Sequence, residues 1–287
     1  MEYLIGLLIG LMLGMSGVGG IIAVPLIVIF LNLPLDEAMG TALGAVMLSA
    51  ALGVTSQRKH VHLVPSLFLG GSGMLMAPFG RYMGGQIDDL ILLLLFFLIS
   101  TLIAVGMWLK ANQDEYSRSR FAYISHYSIL DVPRLRDFFP VSNTSLSHKS
   151  FAVRLFTSMQ MTLCGNVGVL FTLCLWGSAV GVLSGLLGIG GGVFIIPILR
   201  YGLNMNMRAA LASSLLVIVM VSFSGFFTSL MIYPEIELWL LSRLSVSAML
   251  GIYLGHRVGL LLPEKILQRV FSVSLIMISA FAVYAGI

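Results

Sequence analysis

Two glycine runs carry the main-chain chemistry that this sequence has to offer. Gly188-Ile189-Gly190-Gly191-Gly192, leading to Pro197, interrupts a long apolar stretch, and a weaker copy, Gly17-Val18-Gly19-Gly20 leading to Pro25, lies near the start. Glycine costs about 1 kcal/mol per residue inside a helix, so each run is expected to end one helix and begin another. The limbs that begin near Ile21 and Val193 then present free N–H groups and positive helix ends. Glycine lets a ligand approach the main chain closely, and such ends bind anions without a charged side chain. Thr41, Ser213 and Ser214 lie near the start of the span after each run. Their hydroxyls could donate to the same anion, or bond back to their own helices. The candidate binding set is therefore Gly17, Gly19, Gly20, Thr41, Gly188, Gly190, Gly191, Gly192, Ser213 and Ser214. The alternative is a close helix crossing in which the glycines only allow tight packing, and the matched pair of breaks favours the site over it. Pro25 and Pro197 fall beyond the first turn of their limbs and should kink them, as hinges or as fixed bends.

Other chemistry is poorly represented. The histidines lack HExxH-like spacing, so no metal is expected, and no nucleophile–base set that would make an enzyme is visible. The GxGG pattern echoes a dinucleotide fingerprint, but no strand or soluble βαβ unit precedes it, so no cofactor is expected. Cys164 and Cys174 lie in apolar sequence and do not form a disulfide framework. Arg81 and Arg243 are the basic residues embedded in apolar sequence, one in each half. Both are near helix ends, where long cations are expected to snorkel toward water.

The elements that must hold these residues are membrane helices. The 287 residues are 58% hydrophobic and 10% charged, against roughly 25% charged in soluble domains. The reading is an all-α polytopic protein of the cell membrane, in contact with lipid and not with nucleic acid. Glu2 stands where a secretory signal would be basic, so the first apolar segment is expected to remain. Each limb around the first glycine run has about 11–13 residues, too short to cross a hydrocarbon core of roughly 30 Å. They form one broken crossing or a re-entrant hairpin. Asp36 and Glu37 suit the first turn of the next helix, and spans follow at about 38–56, 63–83 and 90–109. Residues 110–154 hold seven Lys/Arg and four Asp/Glu and are too charged to enter lipid. The divisions are 1–110, a first membrane repeat; 111–154, a cytoplasmic linker; and 155–287, a second repeat. In the second repeat, spans are expected at 209–232, 238–255 and 266–285, with basic loops at 200–208 and 256–265.

The halves align. Gly14, Gly17, Gly19 and Gly20 fall on Gly185, Gly188, Gly190 and Gly191 at one constant offset. The extra Gly192 lengthens the offset by one position, bringing Pro25 onto Pro197 and Ala38 onto Ala210. It then returns to its first value, with Gly80 on Gly251 and Tyr82 on Tyr253. Loop charges run acidic, basic, acidic in the first half and basic, acidic, basic in the second. Positive loops favour the cytoplasm, so the halves are expected to be an inverted-topology repeat. Paired breaks in such a repeat point to a transport site between them.

Gly185-Leu186-Leu187-Gly188-Ile189-Gly190-Gly191-Gly192 with Pro197, followed by Ala210-Leu211-Ala212-Ser213-Ser214-Leu215, resembles the pattern of the TauE/SafE family of sulfite exporters. Gly14 to Pro25 with Ala38-Met39-Gly40-Thr41-Ala42-Leu43 repeats the order. The first copy lacks the third glycine, and the polar linker is long for the family. The resemblance implies export of sulfite or a small organosulfonate without an ATPase of its own. The expected function is a secondary carrier for a small sulfur-containing anion, with H+ or Na+ as a possible coupling ion. A passive anion channel, or a non-transporting scaffold docking a partner on 111–154, are the alternatives.

Overall fold

The computed structural model describes residues 1–17, 19–58, 60–87, 167–203, 205–233 and 237–261, with isolated helical positions at 91, 98, 101 and 273. The expected spans at 90–109 and 266–285, and the linker 111–154, otherwise lie outside the described residues. Among the described residues every regular element is helical: α1 (Glu2–Ser16), α2 (Gly19–Leu31), α3 (Leu35–Gln57), α4 (Leu63–Gly84), α5 (Val167–Leu187), α6 (Gly192–Pro197), α7 (Met207–Ile232) and α8 (Leu238–Leu261). Among the described residues, five helices are long and apolar enough to cross a membrane, while α1 and α2 are shorter apolar helices.

The helix boundaries follow local chemistry. The glycine run ends α1 at Ser16, and Gly17 caps it in the left-handed region, its N–H donating to the Leu13 carbonyl at 2.9 Å. After Pro34, α3 begins with Asp36 and Glu37 in its first turn, as expected from the helix dipole. Pro197 ends α6, and the chain continues as one π-helical turn, Ile198–Gly202, in which main-chain spacing has loosened. Of the loop expected at 256–265, His256 to Leu261 are instead helical and continue α8, while 262–265 lie outside the described residues. A cation does not stop a helix.

Long-range packing crosses between the halves. Helix α1 packs on α8, and α5 packs on α4. A Cβ added to Gly10 would run into the Ala248 carbonyl, and one on Gly14 would come within 2.5 Å of the Ile252 carbonyl. Likewise, Gly177, Gly181 and Gly185 meet the main chain of Leu69, Gly73 and Ala77. Gly6, Gly10 and Gly14 match Gly177, Gly181 and Gly185 at the offset that relates the two halves. Such small-residue faces let membrane helices approach to main-chain contact. Helices α3 and α7 pack on each other and bridge to the remaining pairs, α3 with α8 and α7 with α4.

The chain direction follows from the ends of these helices. Glu2 accepts from Arg243, early in α8, at 3.0 Å. Tyr233, just after α7, stacks on Arg81 near the end of α4, and Arg81 pairs with Asp36 at the start of α3. The α1–α2 pair therefore begins and ends at one end of the bundle. Helix α5 runs parallel to α4 from the opposite end, and the π turn leads back there to α7.

Candidate functional site

The two glycine runs meet. A Cβ on Gly20 would collide with the Ile189 carbonyl, and one on Gly192 with the Gly17 carbonyl. The runs thus cross in opposite directions, each presenting a carbonyl to the other's α-carbon. Every glycine in them is buried. Gly17, Gly188, Gly190 and Gly191 have φ of 73°, 68°, 71° and 76°, a region that side chains other than glycine rarely adopt. These turns place the first amides of α2 and α6 at the crossing, where the first-turn N–H groups of a helix lack carbonyl partners within it. Gly191 caps α6, and its own carbonyl accepts from Phe194 and Ile195 at 3.1 and 3.2 Å.

Apolar side chains cover the crossing from both ends. Met39 of α3 lies against Gly188, its Cβ 2.6 Å from an added Cβ, and Leu211 of α7 lies 3.2 Å from one on Gly17. Met39 and Leu211 occupy equivalent positions in the aligned halves, and so do Val46 and Ile218, which both touch Gly190.

The three hydroxyls named from the sequence are engaged elsewhere. Thr41 Oγ1 donates to the Glu37 carbonyl and Ser214 Oγ to the Leu211 carbonyl, each at 2.8 Å. Ser213 Oγ accepts the His62 main-chain N–H at 2.9 Å and so fastens the start of α4 to α7. Two serines that the sequence does not single out stand at the second run instead. Ser222 Oγ is 2.6 Å from an added Cβ on Gly190, and the Ser184 Cβ is 3.4 Å from one on Gly191. Both are fully buried, and among the described residues neither hydroxyl has a hydrogen-bond partner. Leaving a buried hydroxyl unpaired costs about 1–3 kcal/mol. Nothing in the sequence separates them from the buried serines that bond to their own helices.

Arg81 overturns the expectation of snorkelling. Its side chain is 0% exposed and fully engaged. Nε donates to Ser229 Oγ at 2.9 Å, while one terminal nitrogen reaches the Asp36 carbonyl at 2.8 Å and the Asp36 carboxylate at 3.1 Å. The other lies 3.2 Å from Met39 Sδ, the residue that covers Gly188. Arg243 does sit near the surface, paired with Glu2 and stacked on Trp239.

His62, between α3 and α4, gives this region a pH dependence. Burial, and to a lesser degree the neighbouring His60, hold its imidazole below the ordinary value of 6.5. The folded chain therefore resists a proton that the unfolded chain accepts. Stability is full above about pH 6.5 and falls as pH drops below it, until the folded imidazole titrates too. His62→Gln should flatten that slope while keeping the main-chain bond to Ser213. Thermal unfolding at about pH 7.5 and pH 5.5 checks this, since equal acid losses in both proteins would assign the slope to other groups.

The sulfite exporter TauE/SafE family matches residues 3–282 of the chain. A probable membrane transporter protein, YdhB, of Bacillus subtilis (strain 168) is 24% identical over 272 residues, which cover 92% of each chain. No solved structure matches significantly. Five helices among the described residues that are long and apolar enough to span, and a family match over nearly the whole length, identify a multi-pass membrane transporter that belongs to the sulfite exporter TauE/SafE family.

Proposed function

We propose that this transporter is a secondary carrier exporting a small sulfur-containing anion, sulfite or an organosulfonate, through the crossing of its two glycine runs. The observation that carries this reading is the contact of the two runs beside two buried, unpartnered hydroxyls, Ser184 and Ser222. The N–H groups at the starts of α2 and α6 are the main-chain donors, aided by the positive ends of those helices. Thr41, Ser213 and Ser214 hold the surrounding helices in register and can exchange their local bonds for the anion as the helices move.

The halves, 1–110 and 155–287 with the linker 111–154 between them, form an inverted repeat in which the chain turns back at each glycine run, α1–α2 from one end of the bundle and α5–α6 from the other. The opposite directions of α1–α2 and α5–α6 support this, as does the exchange of partners between halves. Rocking of one half against the other alternates access, with Pro25 and the Pro197 π turn as the yielding points and H+ or Na+ as the coupling ion.

Ser222→Ala tests the site because it separates structure from function. Removing an unpaired buried hydroxyl should raise stability by about 1 kcal/mol. The same change should slow sulfite efflux from vesicles loaded with equal amounts of protein. Gly190→Val, strained by its φ and blocked by Ser222, should abolish efflux. Unchanged efflux in Ser222→Ala and in a folded Gly190→Val chain would move the pathway elsewhere. Efflux that never saturates and shows no trans-stimulation would indicate a channel.

A further inference from the structure

At the end of the bundle opposite Asp36 and Arg81, a cleft of about 30 Å³ opens between the ends of α1, α3 and α8 and the start of α7. Its floor is buried: Gly14, Met15, Leu211 and the amide of Gln57. His60 and Arg208 form an exposed rim, and half-buried His256 completes the wall. No carboxylate lines it, and among the described residues Arg208, His60 and His256 form no ion pair. Arg257, next to His256, is turned away onto Tyr253, whose hydroxyl it reaches at 2.8 Å.

Comparison with the other end shows why this charge stands open. Asp36, at the start of α3, neutralises Arg81 at the end of α4. In the aligned halves Arg208 holds the place of Asp36, at the start of α7, and Ile252 holds the place of Arg81. The acid has become a base and the base has become apolar, so one end carries an ion pair, while at the other, among the described residues, Arg208 has no carboxylate partner and stands over a largely apolar floor. Cationic clefts with low-dielectric walls concentrate small anions, and a guanidinium grips oxyanions through two parallel hydrogen bonds.

We propose that this cleft is a second anion site, separate from the crossing of the glycine runs and taking one small oxyanion. Arg208 binds two oxygens at the rim, with His60 and His256 beside it. One further oxygen enters the floor toward Gln57, in a volume above the roughly 10–15 Å³ that a water-sized group needs. Leu211 is the shared wall: it lines the cleft on one face and covers Gly17 on the other. The anion here waits one side chain away from the crossing. The site goes beyond the reading of the crossing, and its binding does not require transport.

The test uses the full chain in a neutral detergent, with inorganic sulfate as the probe and chloride holding ionic strength constant. Sulfate should raise the melting temperature of the unaltered chain and of Ser222→Ala in the same concentration range. Arg208→Gln should shift the half-saturating concentration upward about tenfold, the cost of a charge-assisted bond, and His256→Gln should shift it less. Both substitutions lie at the cleft wall and leave the buried core unchanged. A parallel titration with phosphatidylglycerol identifies the source. Arg208-dependent stabilisation by the lipid and not by sulfate assigns the oxyanion to a headgroup phosphate and upholds the site. Sulfate dependence that is identical in Arg208→Gln and the unaltered chain, with no Arg208-dependent lipid effect, overturns it. Loss of the sulfate response in Ser222→Ala alone overturns it too, and leaves the crossing as the anion site.

Discussion

Gly20→Ala is expected to abolish anion efflux and to destabilise the chain by about 3 kcal/mol, the upper range for forcing extra volume into a packed core. Its Cβ would collide with the Ile189 carbonyl. A main-chain oxygen cannot swing aside as a side-chain tip does, so relief requires the two runs to separate. Separation would also uncover the apolar contacts that Met39, Leu211 and Ile196 make with the glycines. Gly71→Ala in α4 is the matched control, because nothing lies within 4 Å of its added Cβ. That change should leave efflux intact and stability equal or higher by up to about 1 kcal/mol. Melting curves and vesicle efflux on both variants provide the comparison. If Gly20→Ala behaves like Gly71→Ala, the runs are not in contact in the working protein.

Arg81→Met is expected to cost about 3 kcal/mol, because breaking a buried ion pair leaves its remaining groups desolvated and unmatched. Ser229 loses the donor at its oxygen, and Asp36, still 31% exposed, loses its counter-charge. Arg81→Lys should recover little. An ammonium is a compact charge and cannot serve Ser229, the Asp36 carbonyl and the Met39 sulfur from one planar group. Adding Asp36→Asn to Arg81→Met should restore part of the loss, and a double-mutant cycle by thermal unfolding measures that coupling. An Arg81→Met protein within about 0.5 kcal/mol of the parent, the range usual for surface changes, would return the guanidinium to the surface. A further consequence is expected for transport. Met39 touches both Arg81 and Gly188, so loosening the arginine should leak anion toward that end of the bundle.

Much of this architecture is legible in the residues, because glycine, proline and charge act locally. The breaks at Gly17 and Gly188, and the start of α3 under Asp36 and Glu37, follow from rules that need only neighbours. Arg81 misleads for a reason of range. Its place near a helix end sets its depth along one helix, but the groups that cover it, Ser229 and Tyr233, arrive from the other half of the chain, at the end of α7. Ser184 and Ser222 are hidden for a different reason. Serine in an apolar helix ordinarily donates to the carbonyl four residues back, as Ser16 and Ser66 do. Only three-dimensional placement shows which serines lack that bond. Gly6 and Gly10, with Gly177 and Gly181, are within reach of the sequence, since they extend the same offset upstream of Gly14. A glycine that breaks a helix is conspicuous among its neighbours, whereas one that only lets a helix pack closely is not.

The exchange of partners, α1 with α8 and α5 with α4, has a consequence for how the protein is made. Helix α1 leaves the ribosome long before α8, which carries its docking surface. Until that partner is synthesised, the Gly6, Gly10 and Gly14 face has only lipid or the insertion machinery to lie against. A nascent chain interrupted after α7 would carry an unmatched glycine face. The same arrangement means that the two halves, made as separate chains in one cell, hold complementary surfaces and should find each other. Assembly of the first half is therefore decided by helices that emerge after it.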